Sequence, residues 1–375
     1  MEALARAERP SRVRMIELTR EFKAQREELL AACERVLERM QLLNGEEQKS
    51  FEAEMADYLG VRYVRGVASG TDALRLSVRA AGLGVGDEVL IQANAFMAAV
   101  EALHDAGVRP VPVDIRLEDL GPDVDDLRAR ITPRTKGILV VHMYGFPVDL
   151  VPLLEIAREH GLKIIEDCSH AHGATLDGKR VGGFGVAGAF SLGVVKNLAA
   201  YGDAGFVSTD DGELAARIKL LGTHGQVKKN EHAFYGGNSR LDELHAGMLR
   251  AKLRLLDVRN ARRQAIAAHY SERLRGRLVV PPSDERRTHV YHQYVVRTQR
   301  REALRKHLDA QGIETGIHYP VPIHLQPAWQ NAFGTTSPLP RAEQVAREIL
   351  SLPVHPDLTD AEVEHVADST ARFFD

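Results

Sequence analysis

Cysteine is scarce: the 375 residues hold only Cys33 and Cys168, far apart in sequence. Two such thiols build no framework of bridges, which excludes a disulfide-stapled secreted scaffold and fits a reducing compartment. Long apolar runs are also lacking, since stretches such as GILVVHM at 137–143 fall far below the roughly 18 residues that a membrane span requires. Positive charge is not in surplus: Lys plus Arg number 49 against 52 Asp plus Glu, a net charge of −3, where a nucleic-acid binder would usually be basic. The N-terminal stretch MEALARAERPSRVRMIELTREF is charged throughout and has no apolar core of about 7–15 residues, so no secretory signal is read there and the expected location is cytoplasmic. No internal repeat or low-complexity run is visible. What is present is ordinary globular composition, 44% hydrophobic and 27% charged, in a chain long enough for a large α/β domain with a smaller companion.

Residues 17–40 place Leu18, Phe22, Leu29, Leu30, Cys33, Val36, Leu37 and Met40 near one helical face, which predicts a single amphipathic helix. From about residue 62 strand and helix patterns alternate: YVRGVA, a helix from Thr71, EVLIQ, a helix from Ala95, VRPVPV, a helix around 123–131, TKGILVVHM, a helix over 149–160, and LKIIED. That alternation predicts a mostly parallel sheet covered by helices. Short strands near 190 (GAFSLG) and 207 (GFVSTD) precede a helix at 212–221. Residues 240–275 read as long and helical, with arginines on the outer faces, and form a plausible bridge to a second domain; the expected division is 1–250 and 251–375. The remainder carries a strand at 290–298, a helix at 300–311, a Pro- and His-rich loop and two closing helices.

Two nucleotide signals fail on inspection. GATLDGK (173–179) spells the start of a phosphate loop, but Arg180 stands where Ser or Thr would hold Mg²⁺ and no strong helix follows. Gly183, Gly185 and Gly188 match GxGxxG, yet a strand follows where a helix N-terminus should meet a pyrophosphate. Asp167, His170 and His172, with His142 nearby, offer metal-ligand chemistry but no closed set, and sixteen histidines make clustering by chance easy. No metal is expected.

A third constellation is more specific. ASGTDAL (68–74) follows a strand and opens a helix, so N–H groups near Gly70 and Thr71 form either an anion site or simply a helix start capped by Ser69 or Thr71. LKIIED ends on Asp167, at the strand end where open α/β sheets place their chemistry. Ser191 and Lys196 follow another apolar strand; a lone lysine there is usually a solvated charge, and Phe96 by itself would be core packing. Together, phosphate nest, carboxylate, aromatic and lysine are the parts a pyridoxal phosphate site needs. The lysine, its pKa lowered by desolvation, condenses with the cofactor aldehyde, and the carboxylate keeps the pyridine nitrogen protonated.

These residues, with FEAEMADYLGVRYV, GLGVGDEVL, TKGILVVHMYG, IIEDCSHAHGA, KNLAAYGDAGFVSTDD, GGNSRLDELHAG, GIETGIHYPVPIHLQPAW and EILSLPVHPDLT, resemble the nucleotide-sugar aminotransferases of the fold type I pyridoxal phosphate enzymes, a family that includes antibiotic and surface-polysaccharide sugar aminotransferases. The resemblance runs from about residue 16 to the C-terminus. It implies a large, mostly parallel seven-stranded sheet flanked by helices, with a smaller α+β C-terminal domain. It implies Lys196 as the cofactor lysine, Asp167 on the ring nitrogen, and Gly70, Thr71 and Ser191 on the phosphate. Phe96 would stack on the ring, and His170 would lie beside the ring hydroxyl, where many members have glutamine. Asn238 would reach the phosphate of a neighbouring subunit, making an obligate homodimer with shared sites. Arg240 becomes a candidate for the donor's carboxylate, and His318, Tyr319 and His324 would line the sugar-nucleotide side.

The implied activity is transfer of an amino group from glutamate or glutamine to a keto sugar nucleotide, with Lys196 as general base and acid and no nucleic acid or membrane as partner. NSRLDEL is similar to members that aminate C-3 of a 6-deoxyhexose. The departures are SLGVVKN where SFYPxKN is common, LHAG at 244–247 for LQAA, and His170 for glutamine; dehydratase relatives carry histidine in place of the lysine. A keto-cyclitol aminotransferase, a keto-sugar dehydratase, a non-catalytic sugar-nucleotide-binding relative and a metal hydrolase built on Asp167, His170 and His172 are the rivals.

Overall fold

The structure is a computed structural model that describes residues 12–375; residues 1–11, which begin the charged N-terminal stretch, lie outside the described residues. Two helices, α1 (Leu18–Ala24) and α2 (Arg26–Arg39), stand where one was expected. The break falls at Gln25, whose φ and ψ of −117° and 15° leave the helical region. Its cause is that the two segments serve different partners: Glu21 of α1 pairs with Lys252 at 2.9 Å, whereas α2 buries Leu29, Ala32 and Val36. Leu30, Leu37 and Met40 are exposed.

The chain continues through α3 (Glu46–Leu59), β1 (Tyr63–Val67), α4 (Gly70–Ala80), β2 (Glu88–Gln92), α5 (Met97–Asp105), β3 (Arg109–Val113), α6 (Val124–Ala129), β4 (Thr135–Val141), α7 (Val151–His160) and β5 (Lys163–Asp167). Side-chain caps begin several of these helices; the Asp123 carboxylate accepts the N–H groups of Asp125 and Asp126 at the start of α6. A hairpin, β6 (Thr175–Leu176) and β7 (Lys179–Arg180), precedes β8 (Ala187–Ser191), β9 (Gly205–Thr209) and α8 (Gly212–Leu221). GATLDGK is thus a strand–turn–strand: Asp177 and Gly178 take positive φ (50° and 79°) at its tip, the backbone that a tight right-twisted hairpin demands.

Seven strands form one sheet in the order β1-β9-β8-β5-β4-β2-β3. All neighbours from β8 to β3 pair in parallel, and only β9 runs against both of its partners. The mostly parallel seven-stranded sheet implied by the resemblance is therefore present. Strands β2 and β9 are buried along their whole length, as helices on both faces require. The sheet's carboxyl edge brings Gln92, Val141, Asp167 and Ser191 to one side, and the site lies there.

After the small hairpin β10 (Gln226–Lys228) and β11 (Glu231–His232), helices α9 (Glu243–Leu253) and α10 (Leu256–Leu274) lead away from the sheet. Strand β12 (Arg287–Thr288) joins β6. The strand expected over 290–298 shortens to β13 (Tyr294–Arg297), followed by α11 (Arg301–Ala310), α12 (Pro327–Phe333), α13 (Pro340–Glu348), β14 (Ile349–Leu352) and α14 (Asp360–Arg372). β13 and β14 pair antiparallel over a core of Tyr270, Leu304, Leu308 and Val366. Val13 belongs to this same core, because its N–H donates to the Gly312 carbonyl (2.8 Å) and its carbonyl accepts from Glu314 N–H (2.9 Å). Val13 is thus tied to the C-terminal part of the chain.

Candidate active site

Ser69 caps α4: its hydroxyl accepts the Asp72 N–H at 3.1 Å and its carbonyl the Ala73 N–H at 2.9 Å. The cap and the anion nest coexist, since the N–H groups of Gly70 and Thr71 find no protein acceptor among the described residues. They sit at the positive end of an 11-residue helix and fit a phosphate monoester. Gly70 has to be glycine, because a Cβ there would lie 2.4 Å from Ser191 Cβ. The close approach brings the Ser191 side chain from the end of β8 beside the nest.

A cavity of about 200 Å³ opens on Gly70 and Thr71 and is walled by Phe96, Asp167, His170, Ser191 and Lys196. Asp167 ends β5 with one carboxylate oxygen accepting the Ser169 N–H at 3.0 Å, and its other oxygen is free among the described residues. Lys196 follows β8 in a turn closed by its own N–H on the Gly193 carbonyl at 2.9 Å. Burial lowers the pKa of its amine to about 8 against an opposing pull from the Asp167 charge. The divergent SLGVVKN segment buries Leu192 and leaves Val194 and Val195 exposed.

His170 is buried and accepts the Tyr144 N–H on Nδ1 at 3.3 Å. Burial, then the nearby Lys196 charge, holds its pKa well below the usual histidine range. The ring is therefore neutral, with its proton assigned to Nε2 as a donor. Phe96 is 52% exposed, an open aromatic face at the mouth of the cavity, and Tyr319 packs against it with ring centroids 5.0 Å apart.

A model of the DegT/DnrJ/EryC1/StrS aminotransferase family matches residues 23–371. The chain belongs to this family. Among its relatives, a dTDP-3-amino-3,4,6-trideoxy-alpha-D-glucose transaminase of Streptomyces venezuelae is 43% identical over 98% of each chain. The solved S. venezuelae DesV, in complex with a ketimine intermediate, superposes with a TM-score of 0.94 at 42% identity, over 97% of this chain and 99% of that one. NtdA of Bacillus subtilis, solved with its bound cofactor PMP, has a TM-score of 0.90 at 29% identity, over 97% of this chain and 86% of that one. The aminotransferase works with pyridoxal phosphate, which the free helix N-terminus, the unpaired Asp167 oxygen and the half-buried Lys196 fit.

Not every residue singled out from the sequence reaches this cavity. His318 lines a second cavity of about 290 Å³ that shares Lys196 with the first; its Nδ1 lies 2.9 Å from Ser351 Oγ. His324 lines neither. It is buried, with Nε2 3.3 Å from Glu343 Oε1, because the turn that carries it is drawn inward by the Ile323 N–H on the Ala93 carbonyl. Asn238 is exposed, and Arg240 opens on a separate cavity with Glu52 and Arg65. Within its own chain neither touches the Lys196 cavity.

Other buried residues near this cavity are missed by sequence patterns. His292 packs against His170 with ring centroids 4.5 Å apart and planes tilted by 34°, and its Nδ1 lies 3.2 Å from Asn197 Oδ1. Asn197 is held in turn by the Asn260 side chain and the Val290 carbonyl. Arg263, among the arginines expected on outer faces, is buried, and so is Lys252. Of the GxGxxG glycines only Gly185 meets an anion, and it is the protein's own Glu166: its carboxylate accepts the N–H groups of Gly182, Phe184 and Gly185, each at 2.8 Å. His142 Nε2 donates to it at 3.2 Å, since Nδ1 already accepts the Val148 N–H. Cys168 lies close by. The ring nitrogens of His142, one of the metal-ligand candidates, are thus engaged inside the fold.

Proposed function

We propose that the aminotransferase moves an amino group from glutamate or glutamine to the C-3 keto group of a nucleoside-diphosphate-linked 6-deoxyhexose in amino-sugar biosynthesis, acting as a homodimer. The observation that carries the reading is Lys196 facing, across one cavity, the unpaired N–H groups at the start of α4. The S. venezuelae relative, whose product name carries a 3-amino group on a dTDP-linked sugar, supports both the sugar nucleotide and the position. NSRLDEL supports the same position.

Pyridoxal phosphate, when bound, supplies the electron sink that stabilises a carbanion at the carbon bearing nitrogen. The chain's own groups do the rest. Gly70, Thr71 and Ser191 would hold the phosphate. Asp167 would hydrogen-bond the pyridine nitrogen and keep it protonated, and Phe96 would cover one ring face. Neutral His170 would offer its Nε2–H to the ring hydroxyl. Lys196 would hold the cofactor through its Nζ and, as a free amine beside the donor's α-carbon, would serve as base and then acid there. Its lowered pKa makes the free amine available near neutrality. Asn238 completes the phosphate site of a second copy, and His318 and Tyr319 border the space for the sugar.

The test is direct. Purified protein loaded with pyridoxal phosphate is given L-glutamate or L-glutamine, then the dTDP-linked 3-keto or 4-keto 6-deoxyhexose. Loss of the visible cofactor band with the amino acid, its return with the 3-keto sugar, and an amino sugar nucleotide by mass spectrometry are expected. Turnover of the 4-keto sugar alone overturns the position; an unresponsive band overturns the donor and acceptor together.

A further inference from the structure

Arg263 is 9% exposed and makes no ion pair among the described residues. A guanidinium removed from water without an anion is a costly arrangement, and proteins keep one where a ligand supplies the charge. Only one of its nitrogens is engaged: Nη1 donates to the carbonyls of Val354 (2.7 Å) and Tyr291 (3.4 Å). Nε and Nη2 have no partner among the described residues, and the side chain lines the 290 Å³ cavity that also contains Lys196 and His318.

Beside Lys196, Arg263 is the arginine at that cavity left without an ion-pair partner among the described residues. Glu17 is matched by Arg14, Glu21 by Lys252, and Asp357 by Arg259. The neighbouring histidine His292 is kept neutral by burial and by His170 and Lys196 beyond it. Burial, then Arg259, pulls the Arg263 pKa down to about 10, which still leaves it charged at pH 7. A single carboxylate satisfies one open guanidinium edge. A diphosphate would bring more charge than the edge can meet, into a space bordered by three carboxylates.

We propose that Arg263 binds the carboxylate of the amino donor, in the cavity that adjoins Lys196. This rests on the aminotransferase reading above and assigns to Arg263 the part that NSR placed on Arg240. The guanidinium is fixed by α10 on one side and by the Val354 carbonyl on the other, so the donor's α-carbon would be held at a constant distance from the Lys196 amine. The sugar nucleotide has no carboxylate, and its half-reaction does not need this residue.

That asymmetry supplies the test. Single-turnover decay of the visible cofactor band is followed against L-glutamate, and the reverse half-reaction against the amino sugar nucleotide. Arg263→Gln, which removes the charge and keeps a polar side chain, should raise the half-saturating glutamate concentration on the order of 10- to 100-fold, the worth of a charge-assisted hydrogen bond. The amino sugar half-reaction should change less than about twofold, and Arg263→Lys should recover part of the loss. Equal loss in both half-reactions, or unchanged glutamate saturation in Arg263→Gln together with a large shift in Arg240→Gln, overturns the proposal. Should the variant fail to fold, crystals of the wild-type holoenzyme soaked in glutarate decide: a carboxylate on Arg263 supports it, and glutarate elsewhere or absent overturns it. A wild-type band that responds to neither substrate instead strikes the function reading itself.

Discussion

Lys196 must be a nucleophile when it captures the cofactor and a proton carrier afterwards, and both demands fall on one amine that burial has already pushed toward its neutral form. With a pKa of about 8, the attacking free amine is the minor species at pH 7 and the major one at pH 9. The rate at which cofactor-free protein takes up pyridoxal phosphate, read from the visible band, should rise through neutrality and level off above about 8; a lysine of ordinary pKa, about 10.4, would keep the rate climbing past pH 10. Lys196→Ala should reduce transamination by at least about 10³-fold while leaving the fold intact. His170 poses a subtler question. Because its Nδ1 is occupied by the Tyr144 N–H, its value lies in one N–H donor, which a glutamine amide also provides. His170→Gln should keep activity within about tenfold, whereas His170→Phe, which fills the space without a donor, should lose about 10- to 100-fold or more. Steady-state kcat for the two variants separates a hydrogen-bonding role from an imidazole acting as acid or base, since the latter would not survive the glutamine.

The loop Gly182–Gly185 and strand β5 hold each other through Glu166. Burial works against that carboxylate's charge, but the hydrogen bond from His142 and the N–H groups of Gly185 and Gly182 outweigh it and hold the pKa below the ordinary range. A depressed carboxyl pKa stabilises the fold above the unfolded value, and the gain is lost as pH falls through the folded one. Glu166→Gln turns one accepting oxygen into a donor facing the Gly182 N–H and the His142 N–H, so it should cost about 3–5 kcal/mol in urea unfolding at pH 7. The deficit relative to wild type should shrink as the pH drops below the ordinary carboxylate range. Gly70→Ala acts at the other end of the sheet: its Cβ meets Ser191, so α4 must shift, and the affinity for pyridoxal phosphate should fall about 10- to 100-fold in a fluorescence titration. Most elements from β1 to α8 are legible from periodicity, because a parallel sheet with helices on both faces writes its strands as short apolar runs between amphipathic segments. The break at Gln25 is not, since Leu18 to Met40 keep one periodicity while their two halves pack on different partners. β14 is equally silent. It is a short buried run, Ile349–Leu352, directly after a helix, and only pairing with β13 makes it a strand.

The residues proposed to hold the cofactor are readable in the chain because Gly70, Asp167, Ser191 and Lys196 all follow or end strands on one edge of one sheet, which order and spacing alone can align. The other half comes from tertiary packing: His292, Arg263 and His318 reach Lys196 only because α10 and the C-terminal segments fold back across the sheet's edge, and a helix rich in arginine gives no local sign of which one turns inward. Two further residues, Asn238 and Arg240, stay outside the Lys196 cavity of their own chain, and α2 leaves Leu30, Leu37 and Met40 exposed. The proposed homodimer with exchanged residues would account for both. In a two-fold pair each copy would lend Asn238 to the phosphate held by the other, so a site needs Lys196 from one chain and Asn238 from its partner. Asn238→Asp places a negative charge against a phosphate dianion and should abolish activity alone, as should Lys196→Ala. Unfolding the two variants together and refolding them at equal amounts makes about half of the dimers mixed, and each mixed dimer carries one site with both residues intact. Activity should therefore return to about one quarter of wild type. If no activity returns while sedimentation shows mixed dimers formed, the sites are not shared in this way. If Asn238→Asp is active by itself, Asn238 does not hold the phosphate at all.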